Sequence, residues 1–389
     1  MPCPVLPKDE PVSESREGDA RAHRVIGGTV EAQMWLLYGA NGYTGEITAR
    51  LAVERGMTPV LAGRSEGRVA PLAQELGLEH RVFDLADPAA VEAGLQGCDL
   101  VLHCAGPFSA TSAPMVEACL ATGTHYLDIT GEIRVFEATL ARKAQAEAAG
   151  VVLMSGVGFD VVPTDCVAAK VHRALPDATH LELAFAGLGG GLSKGTATTA
   201  AENLGEPGAE RQGGRIVPVP QGSRARWIDF PSRRLHVVGI PWGDVSTAFH
   251  TTGIPNIVTY MGMPPKAVSN MKWANRLAPL LRTRLARGIA KRIVAMRITG
   301  PSDQQREAGH TWVFGEARNA AGDVATVFIR SPEGYSLTAD ASLHIVARVL
   351  AGEVAPGAWT PAGAFGPDLV DQLEGVESQE VQVVRASDG

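Results

Sequence analysis

Three glycines, Gly39, Gly42 and Gly45, recur at every third position where the apolar run WLLY gives way to a stretch rich in Ala and Arg. At a turn from a strand into a helix, side chains here would block both the tight turn and the close approach of a phosphate. The helix start adds unpaired N–H groups and the positive end of the helix dipole. Although the spacing is GxxGxxG, we expect a pyrophosphate site rather than a bare turn. Its expected binding residues are Gly39, Asn41, Gly42, Tyr43, Thr44 and Gly45.

The second apolar run ends in AGRSEGR, at the place where a carboxylate would bind the ribose 2′-hydroxyl of NAD(H). Arg64 and Ser65 stand there instead, and Arg68 follows one turn later. A guanidinium and a hydroxyl would bind a 2′-phosphate, which a carboxylate would repel. The sequence therefore predicts NADP(H), against the alternative that Arg64 is a solvated loop residue. Asp84 ends the third run and would lie near the adenine or cap the next helix.

The fourth apolar run ends in HCAGPFS, at the edge of the expected sheet where a nicotinamide would lie. Ala105 and Gly106 are small enough to leave room for the ring, and Pro107 stiffens the loop. We therefore expect these three residues to complete the cofactor site.

Polar side chains at the end of the fifth run could supply the proton that hydride chemistry requires. The segment HYLDITGE carries Tyr126, Asp128 and Glu132, where open α/β sheets bind ligands. Tyr126 could donate a proton, and Asp128 or Glu132 could orient the substrate or bind ribose. A core position for Tyr126 is the alternative that its strand context favours. His250 is the first histidine to test as an acid, although a lone histidine more often has a structural role.

Two further stretches leave alternatives open. In GVGFDVVPTD, Asp160 could cap a turn or face the nicotinamide, and Asp165 is expected to be an acid at a helix start. Residues 188–204 form a second glycine-rich turn into a helix. This turn could hold an anionic substrate group with the help of Lys194, or it could be a flexible connection.

The elements that must position these residues alternate between strand and helix from residue 34 onward. Continuous apolar runs between helical stretches are typical of parallel strands buried on both faces. The sequence predicts a Rossmann-type, doubly wound parallel sheet in an NADP-binding domain at residues 34–160. Residues 1–33 are polar and lack an apolar stretch, so we expect a disordered tail.

The second part of the chain has a different rhythm, with strands separated by turns. The segment NAAGD between two strand-like runs, 311–317 and 324–330, is a hairpin signal. We therefore expect an α+β domain rich in antiparallel strands at 161–335, which could pair in a homodimer. Residues 336–389 are expected to form a helix and tail that return to the first domain.

The motifs together resemble those of a known family. YGANGYTGEITARLA, LAGRS, CAGPF, HYLDITGE and GVGFDVVPTD are similar to segments of the saccharopine dehydrogenase-like oxidoreductases, which include a trans-acting enoyl reductase subgroup. The resemblance covers residues 34–170 and continues more loosely toward the C-terminus. It implies a Rossmann domain, NADPH and a second domain over the substrate.

Composition narrows the class of protein further. The net charge of −7 argues against generic nucleic-acid binding, and no apolar stretch is long enough to span a membrane. The five cysteines are scattered, without a CxxC pair or a Cys/His cluster. We therefore expect reduced thiols, no metal site and a cytoplasmic protein.

One long stretch contrasts with the acidic whole. Residues 245–302 contain no Asp or Glu but nine Lys or Arg, all at 266–297, where leucine and isoleucine recur at helical spacing. Three interpretations compete: docking peripherally on an anionic membrane, receiving an acyl carrier protein or coenzyme A, or simply forming a solvated helix.

Two functions from different classes follow from these residues. The first is an NADPH-dependent reductase of a C=C or C=N bond in a hydrophobic or carrier-bound substrate, with Tyr126 or His250 as the acid. The second is a non-catalytic NADP(H)-binding protein that docks on lipid or on a protein partner through its basic helix.

Overall fold

The computed structural model describes residues 33–188, 194–297 and 300–386, and these form two sheets with helices packed on both. Most of the expected tail at 1–33 lies outside these residues. Within them, Gln33 donates a hydrogen bond to the Leu350 carbonyl. No helix in the described ranges is long and apolar enough to cross a membrane.

The first sheet is parallel throughout. Its strands are β1 (Trp35–Tyr38), β2 (Val60–Gly63), β3 (His80–Val82), β4 (Leu100–His103), β5 (His125–Asp128), β6 (Val152–Met154) and β15 (Gly357–Ala358). Their order is β3-β2-β1-β4-β5-β6-β15, and each neighbouring pair is parallel. This is the Rossmann order with a seventh strand added from the C-terminal region, which confirms the predicted fold class.

Helices cover both faces of this sheet. They are α1 (Tyr43–Glu54), α2 (Glu66–Leu76), α3 (Pro88–Leu95), α4 (Phe108–Thr122), α5 (Ile133–Leu140) and α6 (Lys143–Ala149). The sequence predicts one helix over 136–149, whereas the structure breaks it between α5 and α6. Arg142 lies at this break and pairs with Glu117 of α4 at 2.5 Å, so a tertiary contact holds the turn.

The second sheet is mainly antiparallel, as predicted. Its strands are β7 (His180–Leu188), β8 (Gly208–Gln212), β9 (Arg215–Val219), β10 (Ala225–Asp229), β11 (Arg234–Gly239), β12 (Asn256–Gly262), β13 (His310–Arg318), β14 (Val324–Pro332), β16 (Glu377–Ser378) and β17 (Gln382–Val384). The main path is β10-β11-β12-β7-β13-β14-β16. The pair β7–β12 is parallel, and β13–β14 is the hairpin that NAAGD predicts.

The helices of the second part are α7 (Val162–Ala174), α8 (Lys194–Glu202), α9 (Asp244–Thr252), α10 (Pro265–Ala274), α11 (Ala278–Leu281), α12 (Arg284–Arg297), α13 (Asp303–Ala308), α14 (Gly334–Leu350) and α15 (Pro361–Phe365). Helix α9 is absent from the prediction because threonine and valine give it weak helix propensity. Burial against α7 and a left-handed Gly253 at its C-terminus compensate.

The C-terminal region joins both sheets. Helix α14 packs against α1, and β15 extends the first sheet beside β6. Strands β16 and β17 both pair with β14 in the second sheet. The residues that follow α14 therefore contribute strands to each layer.

Candidate active site

The glycine turn, residues 39–45, has no room for side chains at its three glycines. Gly39 has a φ of +83°, and a Cβ on it would lie 2.8 Å from the Ala105 nitrogen. A Cβ on Gly45 would lie 2.2 Å from the Gly39 carbonyl oxygen, and one on Gly42 would lie 3.2 Å from the same atom. Gly39 N–H donates to the Ala62 carbonyl at 2.7 Å, which ties the turn to β2. Helix and strand meet here at a distance that only glycine permits.

The start of α1 presents backbone donors. Gly42 is its N-cap, no side chain caps the helix, and the first helical hydrogen bond runs from Glu46 N–H to the Gly42 carbonyl at 2.8 Å. The N–H groups of residues 43–45 therefore precede the helical ladder and suit an anion. Asn41 extends toward β2, since its Oδ1 would lie 2.9 Å from a Cβ on Gly63. These residues fit a dinucleotide pyrophosphate.

The end of β2 presents the side chains expected at a 2′-phosphate. Arg64 and Arg68 are exposed, and Ser65 is the N-cap of α2 without a side-chain capping bond. Asp84 is exposed and accepts a bond from the N–H two residues later at 3.0 Å. Arg64 and Asp84 both act on buried Tyr38: burial and Asp84 raise its phenol pKa to about 12, whereas Arg64 lowers it. The side chains of Arg64 and Asp84 therefore both lie near Tyr38, at the carboxyl end of β1.

Tyr43 points away from the glycine turn toward the second part of the chain. Its hydroxyl donates to the Pro301 carbonyl at 2.7 Å and accepts from Arg306 at 3.2 Å. Its ring packs edge-on against Tyr335 of α14, with ring centroids 4.9 Å apart. The side chain of Tyr43 thus fixes α1 to its neighbours, and its contribution to a cofactor would come from the backbone.

The loop after β4 packs directly against the glycine turn. The Gly106–Pro107 peptide is cis, and Thr111 Oγ1 donates to the Ala105 carbonyl at 2.7 Å. His103 ends the strand fully buried, and burial lowers its pKa to about 3, so it is neutral. The small loop residues Ala105 and Gly106 therefore stand on a rigid base at the carboxyl edge.

Glu132 has a role that sequence reasoning missed. Its carboxylate accepts from Phe108 N–H at 2.8 Å and from Ser109 N–H at 3.1 Å, at the start of α4. It therefore satisfies the first backbone donors of that helix and compensates its dipole. This contact favours a structural role over substrate or ribose binding.

Tyr126 and Asp128 form a buried pair. Tyr126 is fully buried and donates to Asp128 Oδ2 at 2.7 Å, and burial, then Asp128, raises its pKa. Asp128 also accepts from Ser155 Oγ at 2.9 Å, Gly156 N–H at 3.0 Å and Thr130 N–H at 2.9 Å. This geometry favours the core alternative for Tyr126. Asp128 positions the turn after β6, so its influence on a substrate is indirect.

That turn, residues 155–160, is called here the aspartate turn. Asp160 is partly buried, and its carboxylate oxygen lies where a side chain at position 131 would be, 2.8 Å from a Cβ on Gly131. Burial raises its pKa to about 7. No hydrogen bond from the described residues reaches this carboxylate. The Asp160 carbonyl accepts from Trp242 Nε1 at 2.7 Å, which anchors the turn to the segment before α9.

Aromatic rings line the second-sheet side of the aspartate turn. Phe159 packs edge-on against Phe185 of β7, with centroids 5.7 Å apart, and Phe185 lies 5.1 Å from Trp242. Burial raises the pKa of Asp160, and these rings form an apolar wall on the second-sheet side of its turn. An acid that is protonated near neutral pH therefore lies between the carboxyl edge and an apolar wall.

A second carboxyl lies behind the first. Asp244 is fully buried, accepts from Thr164 Oγ1 at 2.6 Å, and its Oδ2 has no partner among the described residues. Burial, then Asp165 and Asp160, raises its pKa well above the ordinary value. Asp165 accepts from Thr251 at 2.6 Å, as a buried link between α7 and α9. Sequence reasoning missed Asp244, because α9 has no local signal.

His250 lies elsewhere on α9. Its Nε2 is 3.7 Å from Glu137, which also accepts from Ser246 at 2.6 Å and Arg211 at 3.0 Å. His250 lies six positions after Asp244 at the helix start, about 9 Å along the helix at 1.5 Å per residue. His250 is exposed, and no hydrogen bond or ion pair among the described residues links it to the aspartate turn, which is the stronger candidate for proton donation.

Two further predictions from the sequence concern an anion site at residues 188–204 and metal binding. Residues 189–193 and the side chain of Lys194 lie outside the described residues, so the anion site expected there stays a prediction. Among the described residues, no group of three or more His, Cys, Asp or Glu could hold a metal ion.

Known proteins are similar to this chain at two levels, over the first domain and over most of its length. Residues 35–154 match the saccharopine dehydrogenase NADP binding domain. A Mycobacterium tuberculosis protein provisionally named a trans-acting enoyl reductase is 27% identical over 87% of this chain and 94% of its own. The trans-acting enoyl reductase of Mycobacterium leprae is 34% identical over 36% of this chain and 35% of its own. Saccharopine dehydrogenase (L-Glu forming) from Saccharomyces cerevisiae has a similar fold, with a TM-score of 0.61 at 14% identity, over 91% of this chain and 100% of that chain.

These matches agree with the geometry. The domain match spans the first six strands of the parallel sheet, including the glycine turn and the loop after β4. The longer match extends over the second sheet as well. Residues 35–154 therefore match an NAD(P)-binding domain of the saccharopine dehydrogenase type, and most of the chain is similar to a protein named as an enoyl reductase.

Proposed function

We propose that this protein uses NADPH to reduce an activated carbon–carbon double bond in an acyl substrate. The observation that carries the proposal is the partly buried Asp160 carboxyl, which faces the carboxyl edge beside an apolar wall. The name of the tuberculosis relative points to the same reaction class. A C=N bond is the alternative acceptor, because it needs the same hydride and the same proton.

The choice of NADPH over NADH rests on the end of β2. Arg64 and Arg68 are exposed there, and the Ser65 hydroxyl makes no capping bond. A 2′-phosphate would gain charge-assisted hydrogen bonds from the guanidinium groups. NADH lacks this group, so it would lose those bonds.

The acyl substrate is expected to lie between the loop after β4 and the aromatic wall. Ala105 and Gly106 leave space on the first side, and Phe159, Phe185 and Trp242 supply apolar contact on the other. An apolar chain of the substrate would be desolvated against these rings. Exclusion of water would also strengthen the electrostatic effect of nearby dipoles on the reacting carbonyl.

Proton delivery completes the reaction. When bound, the reduced nicotinamide supplies a hydride for the β-carbon of the double bond. We assign the proton for the α-carbon to the Asp160 carboxyl, which then regains it from solvent. With a pKa of about 7, this carboxyl is substantially protonated at neutral pH and still acidic enough to donate. Asp128 acts as a positioning residue, because it holds Ser155 and Gly156 of the aspartate turn.

The test compares wild type with Asp160→Asn on trans-2-enoyl thioesters, with cyclic imines as a second acceptor set, by following NADPH oxidation. We expect kcat to fall by about 100-fold while the Kd for NADPH stays unchanged. The matched control is Asp229→Asn, an exposed aspartate at the end of β10. An unchanged kcat would remove Asp160 from the mechanism. If NADPH binds and neither acceptor set is reduced, the non-catalytic binding function replaces the proposal.

A further inference from the structure

The basic segment, residues 266–297, exposes large apolar side chains in a row. Elsewhere in the described residues such side chains are exposed singly or in a pair. Those of the basic segment, with their exposed fractions, are Trp273 (60%), Leu280 (62%), Leu285 (75%), Ile289 (53%), Ile293 (47%) and Met296 (71%). An exposed apolar row on a folded protein marks an interaction surface.

Helix α12 carries most of this row on a single face. Leu285, Ile289, Ile293 and Met296 follow each other at intervals of four, four and three residues, so they lie along one stripe. Another side of α12 packs against α8, and Ala286, Ala290 and Val294 are correspondingly less exposed. The apolar stripe is therefore separate from the face that holds the helix to the protein.

Cations accompany the stripe, and they divide into two groups. Arg287 pairs with Glu206 at 2.5 Å and Lys291 pairs with Glu202 at 2.5 Å, on the side near α8. Arg284, Arg292 and Arg297 are exposed and have no carboxylate partner in the part of the chain that the structure describes. On a helical projection at about 100° per residue, Arg292 borders the stripe on one side and Arg297 lies on the other, whereas Arg284 falls next to Lys291.

The preceding elements continue the same surface chemistry. Lys266, Lys272 and Arg276 are exposed around Trp273 in and after α10. No Asp or Glu occurs between residues 245 and 302, although the chain as a whole has a net charge of −7. An apolar row between cations, in a segment that itself contains no acid, matches a surface that is apolar inside and anionic at its boundary.

We propose that the basic segment docks the protein on the surface of an anionic lipid bilayer. The apolar stripe of α12 enters the boundary between headgroups and acyl chains, and Trp273 anchors at the same level. Arg292 and Arg297 extend to the lipid phosphates while their aliphatic stems stay in apolar surroundings. A second copy of this chain fits less well, because two basic segments would bring like charges together.

The experiment is cosedimentation of the full chain with vesicles of phosphatidylcholine alone and with phosphatidylglycerol added. We expect binding to the anionic vesicles at least about tenfold tighter than to the neutral ones, and weaker with rising salt. Equal affinity for both vesicles, or no binding to either, would overturn the proposal.

Two sets of variants separate the apolar and the ionic contribution. Leu285→Ser, Ile289→Ser and Ile293→Ser together should abolish binding, whereas Val383→Ser with Val384→Ser, an exposed pair on β17, should leave it unchanged. Arg292→Glu with Arg297→Glu should weaken binding at least about tenfold. Arg215→Glu with Arg233→Glu reverses two exposed arginines outside the segment and should have a smaller effect.

Readouts besides lipid binding keep the proposal distinct from folding and from self-association. Circular dichroism and NADPH binding should be the same in all variants, because the changed residues lie outside the cofactor site. Light scattering gives the oligomeric state without lipid. A wild-type dimer that the serine variants convert to a monomer would assign the stripe to a second copy and refute lipid docking.

Discussion

The two ends of the candidate active site, the glycine turn and the aspartate turn, are built in different ways. At the glycine turn, the function lies in the backbone, and every residue needed is within seven positions of the sequence. At the aspartate turn, Asp160 depends on Gly131 of one loop and on Trp242 from a segment 82 positions away. The first end is encoded locally, whereas the second exists only after the two sheets have come together. Substitutions at the two ends should therefore have separable effects.

The largest effect is expected at the most crowded glycine. Gly45→Ala places a Cβ 2.2 Å from the Gly39 carbonyl, so the turn must shift and the helix start moves with it. We expect a loss of about 3 kcal/mol in the free energy of unfolding and a Kd for NADPH raised at least about 100-fold. Thermal unfolding and fluorescence titration measure both.

Gly67→Ala is the matched control for that substitution. Gly67 lies in the exposed part of α2, and nothing lies within 4 Å of a Cβ there. Alanine should therefore keep or slightly raise stability through its helix propensity. If Gly45→Ala behaves like this control, the close-contact interpretation of the glycine turn is wrong.

The next effect sharpens the cofactor end. Arg64→Ala should raise the Kd for NADPH about 30-fold and leave the Kd for NADH unchanged, because the lost bonds go to the 2′-phosphate. Arg215→Ala, an exposed arginine on β9, should change neither value. A parallel loss for both nucleotides would mean that Arg64 supports the fold of the loop instead of reading the phosphate.

The proposed role of Asp160 is tested by the pH dependence of kcat/KM. Asp160 must be protonated to donate, and its pKa is about 7, so kcat/KM should fall about tenfold per pH unit above that value. In Asp160→Asn this descending limb should vanish, whereas in Arg64→Ala it should remain. A descending limb that persists in Asp160→Asn would assign the proton to another group.

The smallest effect concerns the buried carboxyl behind Asp160. The folded pKa of Asp244 is raised above its unfolded value of about 4, so its contribution to stability declines as pH rises above that value. Asp244→Asn keeps the acceptor for Thr164 and removes this penalty. We expect the variant to be more stable than wild type by about 1 kcal/mol at pH 8 and equal at pH 4, as measured by chemical denaturation. A constant difference across pH would contradict this assignment.

The sequence predicted those parts of the structure that local signals encode, and it did not predict those that depend on tertiary contacts. The parallel sheet and the glycine turn were predictable because apolar runs and glycine spacing are local signals. The break between α5 and α6 was not, because it depends on the contact between Arg142 and Glu117. Helix α9 was missed for the same reason, and with it the burial of Asp244.

The candidate acids show the limit most clearly. Tyr126 and Asp128 lie at the end of a strand, and this position predicts a ligand site. In the structure, however, their side chains bind each other, and Asp128 also binds the aspartate turn. Asp160 and Asp165 lie in the same motif, GVGFDVVPTD, and no local sequence signal distinguishes the two residues. Their difference arises in three dimensions, since Thr251 and Ala362 hold Asp165 while the Asp160 carboxylate faces Gly131.

The seventh strand of the parallel sheet has a consequence for biogenesis. Strand β6 is covered on its outer side only by β15, and Phe159 of the aspartate turn donates its N–H to Thr338 of α14 at 3.0 Å. During translation, the nucleotide-binding half therefore leaves the ribosome with one open sheet edge and with an aspartate turn that lacks its contact to α14. The parallel sheet is complete only after the residues up to 358 have been synthesised. A nascent chain arrested before α14 would be the species that chaperones must protect.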